Sequence, residues 1–200
     1  MIMPVGLMAP MWAFLLLALL FGGTSAAATL QDIDGNQHAL PPSTGARATV
    51  VFFVTHDCPI SNRYAPEIAR ICSEYSSRGV GCLMAYVDPT ITAEEIREHR
   101  QSFGGTQPAV HDTGHELVGL AGATITPESA VFDGGGQLVY RGRVNNFYAA
   151  LGTPRRQATE HDLRNALDEF LAGRPVSKPR TQAVGCFIPK WNVVQEGGSQ

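Results

Sequence analysis

A cysteine with the features of a reactive thiol stands in the segment HDCPIS, at Cys58. The apolar run 49–55 before it predicts a buried strand, and Pro59 favours the first position of a helix. Cys58 is then the helix N-cap, where a thiolate faces the positive end of the helix dipole and accepts hydrogen bonds from the N–H groups of Ile60 and Ser61. These interactions are worth up to about 2 kcal/mol, which favours the ionised thiol.

The two residues before Cys58 act on it in opposite directions. Asp57 disfavours a second negative charge, whereas a protonated His56 favours it. The sequence therefore predicts a moderately activated thiol, with a buried, inert cysteine as the alternative. The six histidines lack the paired spacing of a zinc site. We expect no metal ligands and no cofactor, although Cys58 and His56 together would suit copper.

A disulfide exchange cycle needs a second sulfur, and the best candidate is Cys186. It lies in a tail behind the last predicted helix, where Gly185 allows a close backbone approach. The following Phe187 and Ile188 could dock on an apolar groove. We predict that Cys58 and Cys186 are the catalytic residues. A bystander role for Cys186 stays open, because sequence alone does not fix cysteine connectivity.

The other two cysteines, Cys72 and Cys82, fall on apolar faces of a predicted helix and of the strand that follows it. Each lies a similar rise from the connecting loop, so the two side chains could touch. A structural disulfide and two packed free thiols are both compatible with this pattern.

Hydrophobic periodicity predicts a single mixed α/β domain without internal repeats. A parallel βαβ unit surrounds the helix that follows Cys58. The predicted elements, in order, are a β-hairpin at 29–40, a strand at 49–55, the helix after Cys58, a strand at 80–87, a helix capped by Thr92 and Glu95, a strand at 108–110, a small helix at 115–120, a hairpin of 129–132 and 137–144, and a last helix that Thr159 caps.

Composition and the N-terminus indicate an exported protein. The chain has 200 residues and a net charge of −3, which gives no electrostatic case for nucleic acid. The apolar run MWAFLLLALLF and the small residues behind it predict a signal peptide at 1–28, with an uncleaved anchor as the alternative and the only route to the membrane. We assign 29–175 to the domain and 176–200 to an extended arm, and expect a periplasmic or secreted location. The oligomeric state is not predicted.

Two spacings resemble the thioredoxin-fold superfamily. Pro66 stands eight residues after Cys58 (66 − 58 = 8), and Ser61 occupies the place of that family's second cysteine. Thr126-Pro127 resembles the proline, usually cis, that precedes the strand facing the active site. The resemblance implies a thioredoxin-like α/β fold, in which a mixed central sheet is flanked by helices. It also implies that Thr126, Pro127 and Pro59 contact the substrate.

Five motifs resemble the exported redoxin-like proteins of the alkyl hydroperoxide reductase and thiol-specific antioxidant group: CPISNRYAPE, FGGTQPAVHD, TPESAVFDGGGQLVYRGRV, TEHDLRNALDEFLAG and TQAVGCFI. This implies a thiol–disulfide oxidoreductase with a single N-terminal active-site cysteine and a thiol or disulfide protein as partner. A thiol peroxidase is one alternative. It is disfavoured because valines, Val50 and Val54, stand where a peroxiredoxin is expected to carry proline and threonine. A copper-binding chaperone or assembly factor without turnover, and a redox-inert partner-binding domain, are the others.

Overall fold

A five-stranded mixed sheet forms the centre of the computed structural model, which describes residues 28–42 and 45–188. The elements in chain order are β1 (Ala28–Gln31), β2 (Gln37–Leu40), β3 (Ala48–Val54), α1 (Pro59–Ser76), β4 (Val80–Tyr86), α2 (Ala93–Ser102), β5 (Ala109–His111), α3 (Glu116–Ala121), β6 (Ile125–Thr126), β7 (Glu128–Asp133), β8 (Leu138–Gly142), β9 (Tyr148–Ala150), β10 (Thr153–Pro154), α4 (Asp162–Leu171) and β11 (Cys186–Phe187).

The central sheet has the strand order β5-β4-β3-β7-β8. The strands β3, β4 and β5 are parallel, and β7 and β8 join them as an antiparallel pair. All seven residues of β3 are buried, as expected for a strand covered on both faces. The predicted thioredoxin-like α/β architecture is confirmed.

Helices cover both faces of the sheet, and β3 supplies alternate residues to each side. Val50 and Phe52 pack with α1 and α4, whereas Val51 and Phe53 pack with α3. The period-two alternation of a strand explains this division. β3 ends and α1 begins at one end of the sheet, between these two layers of helices.

Most predicted elements are confirmed within one to three residues. The Thr92–Glu95 capping box forms as expected. The predicted cap of the last helix at Thr159 is wrong, because α4 starts later, with His161 as its N-cap. Thr159 is held elsewhere, since its backbone N–H donates to Asn146 Oδ1 at 2.8 Å. The short strands β9 and β10 were not predicted, nor was the strand β11 within the extended C-terminal arm.

Cys72 and Cys82 form a disulfide between α1 and β4. Their Cα atoms are 5.9 Å apart, within the usual range for a disulfide. The question that the sequence left open is therefore answered in favour of the bond.

The predicted signal segment, up to residue 27, and the arm beyond residue 188 lie outside the described residues. Within the described part of the chain, no helix combines the length and apolar character that crossing a membrane requires.

Candidate active site

Cys58 lies at the junction of β3 and α1, as predicted. It is the N-cap of α1 with extended backbone angles (φ −79°, ψ 110°), and Pro59 occupies the first turn. The side chain is 1% exposed, and its thiol donates a hydrogen bond to the carbonyl oxygen of Thr126 at 3.4 Å. Cys58 is thus a helix-start thiol held against the strand that carries Thr126, while Pro59 is exposed beside it.

The peptide bond between Thr126 and Pro127 is cis, as the resemblance to the thioredoxin-fold superfamily implies. Both residues are buried, and Thr126 is 0% exposed. The burial has a clear source, because β11 of the C-terminal arm pairs antiparallel with β6, with Cys186 opposite Thr126 and Phe187 opposite Ile125. Thr126, which was expected to contact the substrate, is therefore covered by the chain itself.

Cys58 and Cys186 are both free thiols, and the arm brings them together. Cys186 packs against the apolar cluster that contains Cys58, and Thr126 Oγ1 donates to the Cys186 carbonyl at 3.5 Å. The structure therefore gathers four of the predicted site residues, Cys58, Thr126, Pro127 and Cys186, at one corner of the fold.

Opposing effects act on the pKa of Cys58. Burial alone raises it, but hydrogen bonds to the thiolate from the Cys186 side chain and from the Ser61 backbone and hydroxyl outweigh burial and lower the pKa. The neutral thiol has no capping hydrogen bond, and Ser61 Oγ is buried without a partner among the described residues. Ser61 thus gains a partner when Cys58 ionises, which favours the thiolate.

The pKa of Cys186 moves the other way. Burial raises it first, and the Cys58 side chain and the charge of Asp57 add to that effect, so the pKa rises to about 12. When one proton leaves this pair, the negative charge therefore settles on Cys58. Once Cys58 has ionised, the pair consists of a thiolate and a protonated neighbour, which is the arrangement that starts thiol–disulfide exchange.

A hydrogen-bonded chain that the sequence did not reveal steadies the turn before Cys58. Asn62 Nδ2 donates to the His56 carbonyl at 3.0 Å, and Asn62 Oδ1 lies 2.8 Å from His99 Nε2. His99 Nδ1 lies 2.8 Å from the hydroxyl of Tyr86. Burial lowers the pKa of His99, so the neutral ring donates from Nε2 and accepts at Nδ1. No sequence signal links residues this far apart.

The side chain of His56 lies near Asp88, an acid other than its sequence neighbour Asp57. Its Nδ1 lies 3.9 Å from Asp88 Oδ2, and the side chain is 38% exposed. Within residues 28–42 and 45–188, no group of three or more His, Cys, Asp and Glu side chains could hold a metal ion.

The predicted departure from the peroxiredoxin pattern was placed in the wrong register. In the pattern Pro-x-x-x-Thr-x-x-Cys, the threonine stands three residues before the cysteine and the proline seven, so the positions to compare are Thr55 and Val51 rather than Val54 and Val50. Thr55 matches, and it is buried next to the strand end. The departure is therefore limited to the proline.

Comparison with known proteins gives a family and several structural neighbours. The AhpC/TSA family model matches residues 22–141. A hypothetical protein from Sinorhizobium meliloti 1021 is 25% identical over 84% of this chain and 92% of its own, with a TM-score of 0.70. An uncharacterized conserved protein from Geobacillus kaustophilus is 26% identical over 84% and 90%, with a TM-score of 0.72.

A more distant neighbour shares the fold alone. It is a secreted Mycobacterium tuberculosis disulfide oxidoreductase described as homologous to E. coli DsbE, 13% identical over 74% of this chain and 96% of its own, with a TM-score of 0.51. None of the curated proteins matches the chain.

Proposed function

We propose that this chain, which belongs to the AhpC/TSA family, is an exported thiol–disulfide oxidoreductase whose nucleophile is Cys58 and whose resolving cysteine is Cys186. The observation that carries the proposal is the placement of two free thiols beside Thr126 at the start of α1, because Cys58 donates to the Thr126 carbonyl and Cys186 lies opposite Thr126 in the pairing of β11 with β6. The pKa values of the two thiols shift in opposite directions. Such a pair has the sulfurs and the charge distribution that disulfide exchange requires.

The exchange takes place in two balanced steps. The Cys58 thiolate attacks one sulfur of a partner disulfide, so that a mixed disulfide forms and the other partner sulfur leaves as a thiolate. The Cys186 thiol then loses its proton and attacks Cys58 Sγ, which expels the second partner thiolate and leaves a Cys58–Cys186 disulfide. The partner gains two electrons and this protein loses two. The same steps in reverse oxidise a partner dithiol.

The location outside the cytosol rests on two independent features. The N-terminal segment 1–28 has the composition of a signal peptide. The Cys72–Cys82 disulfide is of the kind that persists in oxidising compartments and is rare in the cytosol. The partner we propose is a thiol or disulfide protein of the periplasm or the secreted fraction.

Glutathione disulfide tests the two assigned roles in one assay. We expect Cys186→Ser to accumulate a stable glutathione adduct on Cys58, while the wild type passes through that adduct to the Cys58–Cys186 disulfide. Intact-mass and peptide mass spectrometry distinguish the two products. If the wild type keeps the adduct, Cys186 is not the resolving cysteine. If Cys58 forms neither the adduct nor the disulfide in the two proteins, the proposed function is overturned.

A thiol peroxidase is the second candidate, and Thr55 favours it. A peroxide would convert the Cys58 thiolate to a sulfenic acid with release of an alcohol or water, and Cys186 would then form the disulfide with loss of water. We expect Thr55→Val to leave the reaction with glutathione disulfide unchanged. If Thr55→Val slows the oxidation of Cys58 by hydrogen peroxide selectively, the peroxidase is favoured over disulfide exchange.

A further inference from the structure

The C-terminal arm is paired with the strand edge next to the reactive cysteine. Cys186 and Phe187 pair with Thr126 and Ile125, and the backbone N–H of Ile188 donates to the Thr124 carbonyl at 3.0 Å. This is strand addition, the mode in which an extended peptide joins an exposed sheet edge. The chain therefore carries its own occupant for the groove formed by residues 124–126 and the start of α1.

The groove leaves a different amount of space for a side chain at each position of this occupant. Gly185 lies so close to β6 that an added Cβ atom would stand 1.9 Å from the Thr126 carbonyl oxygen and 3.0 Å from Ile125 Cγ2. No side chain fits there. Phe187 is 78% exposed, so the groove places no demand on the residue after the cysteine, whereas Ile188 is 9% exposed and belongs to the apolar cluster under α3.

The arm is anchored upstream of this occupant. Thr181 Oγ1 lies 2.7 Å from the Tyr140 hydroxyl and accepts from the Arg143 backbone at 3.1 Å. The Thr181 backbone N–H donates to the Arg141 carbonyl at 3.1 Å. The next residue, Gln182, is exposed. Thr181 thus holds the arm to β8, and a movement of 185–188 away from β6 also has to release Ala183, which is 8% exposed.

We propose that the groove along residues 124–126 receives an extended partner strand of the form Gly-Cys-x-apolar, and that residues 185–188 hold this groove as an internal occupant that a partner must displace. This rests on the proposed function, since the partner cysteine takes the position of Cys186 next to Cys58. With the arm in place Cys58 is 1% exposed, so a folded partner reaches the sulfur only after 185–188 have moved.

A synthetic peptide that copies the arm tests the proposal. The probe is AVGCFI with its cysteine held as a thiopyridyl mixed disulfide, and thiopyridone release reports attack by Cys58. All proteins carry Cys186→Ser, so that Cys58 is the only free thiol among the described residues. Gly185→Ala dislodges the arm by the Cβ contact with Thr126. Gly119→Ala is its matched control, because an added Cβ at Gly119 meets nothing within 4 Å.

We expect the peptide to react at least about tenfold faster with Gly185→Ala than with Gly119→Ala, since the loss of one backbone hydrogen bond of the pairing is worth about that factor. Ile188→Asp should open the groove in the same way through the apolar contact. In the opened variants AVGCFI should react at least about tenfold faster than AVVCFI, which carries a side chain at the position of Gly185, while AVGCSI should match AVGCFI within about twofold.

The possible results distinguish a failure of this inference from a failure of the proposed disulfide exchange. Equal rates in the Gly185→Ala, Ile188→Asp and Gly119→Ala variants would overturn the internal-occupant role and leave disulfide exchange intact. Equal rates for AVGCFI and AVVCFI in the opened variants would overturn the glycine requirement of the groove. If no variant releases thiopyridone, even from the small reagent 2,2′-dithiodipyridine, Cys58 is not a nucleophile and the proposed function itself fails.

Discussion

The four cysteines form two pairs with opposite behaviour, although both pairs involve the same helix. Cys72 and Cys82 are bonded, whereas Cys58 and Cys186 are free thiols that both lie next to Thr126. Cys72 lies in the last part of α1 (Pro59–Ser76), where the backbone N–H groups are already paired within the helix. Cys58 caps the beginning, where the first N–H groups are available to a thiolate. The position in the helix therefore separates the bonded sulfur of Cys72 from the sulfur that we propose as the nucleophile.

The elements that the two pairs connect also differ. The Cys72–Cys82 bond joins α1 to β4, two neighbours within one βαβ unit. A Cys58–Cys186 bond would join α1 to an arm whose two-residue strand, β11, pairs with the two-residue strand β6. The first pair links two elements that already pack together in the core, and the second would link the core to the C-terminal arm.

The largest expected effect comes from removing the reactive sulfur. Cys58→Ser should lower the rate of reaction with glutathione disulfide by about a thousandfold or more, because no other described thiol has a lowered pKa. Cys82→Ser is the control from the structural pair and should keep the rate of Cys58, measured by peptide mass spectrometry. Equal losses in the two variants would erase the distinction between the pairs.

The opposite experiment removes the structural bond. The double variant Cys72→Ala/Cys82→Ala should lower the free energy of unfolding by about 2–4 kcal/mol, since the bond no longer restricts the unfolded chain. Denaturant titration measures the loss, with Cys186→Ser as the control that should change stability little. The double variant should still exchange disulfides at Cys58. A loss of stability in Cys186→Ser alone would contradict the structural role of the Cys72–Cys82 bond.

The two free sulfurs should also differ in pH dependence. The pKa of Cys58 is lowered from 9.0 and that of Cys186 is raised to about 12, and only the thiolate is alkylated. The alkylation rate of Cys58 should therefore reach half of its maximum below pH 9, while that of Cys186 should still rise about tenfold per pH unit around pH 10. Quantification of each alkylated peptide across pH checks this, and coincident profiles would be evidence against an unequal pair.

The smallest expected effect belongs to Ser61. Ser61→Ala removes a hydroxyl that stabilises the Cys58 thiolate, so the pKa of Cys58 should rise and its alkylation at neutral pH should slow about three- to tenfold. Ser61→Thr keeps the hydroxyl and should restore the rate. Ser73→Ala, at an exposed position of the same helix, should have no effect. An unchanged pH profile in Ser61→Ala would exclude this role.

Local sequence predicted the parts of the molecule that depend on near neighbours. The buried run before Cys58, the position of Pro59 and the capping box at Thr92 each determine a few residues, and the structure confirms them. The cis bond at Pro127 was predicted from family resemblance rather than from composition. Apart from the cis bond, these features are set by residues within one or two turns of the position concerned.

The features that the sequence did not reveal depend on distant contacts. The pairing of Cys186 with Thr126 joins positions that no local pattern connects, and the Asn62–His99 contact spans 37 residues. The apolar character of Cys72 and Cys82 was equally compatible with a bond and with two thiols, until the fold set their separation. Strand addition by a two-residue segment is too short to give a periodic signal.

Equilibration of the protein in glutathione buffers, from strongly reducing to strongly oxidising, tests the central claim most directly. At each step the disulfides are quenched with acid and assigned by peptide mass spectrometry. We predict that Cys58–Cys186 interconverts between dithiol and disulfide across the series, while Cys72–Cys82 stays bonded under all but the most reducing conditions. If Cys72–Cys82 is the pair that follows the buffer, and Cys58–Cys186 never forms, the account is contradicted.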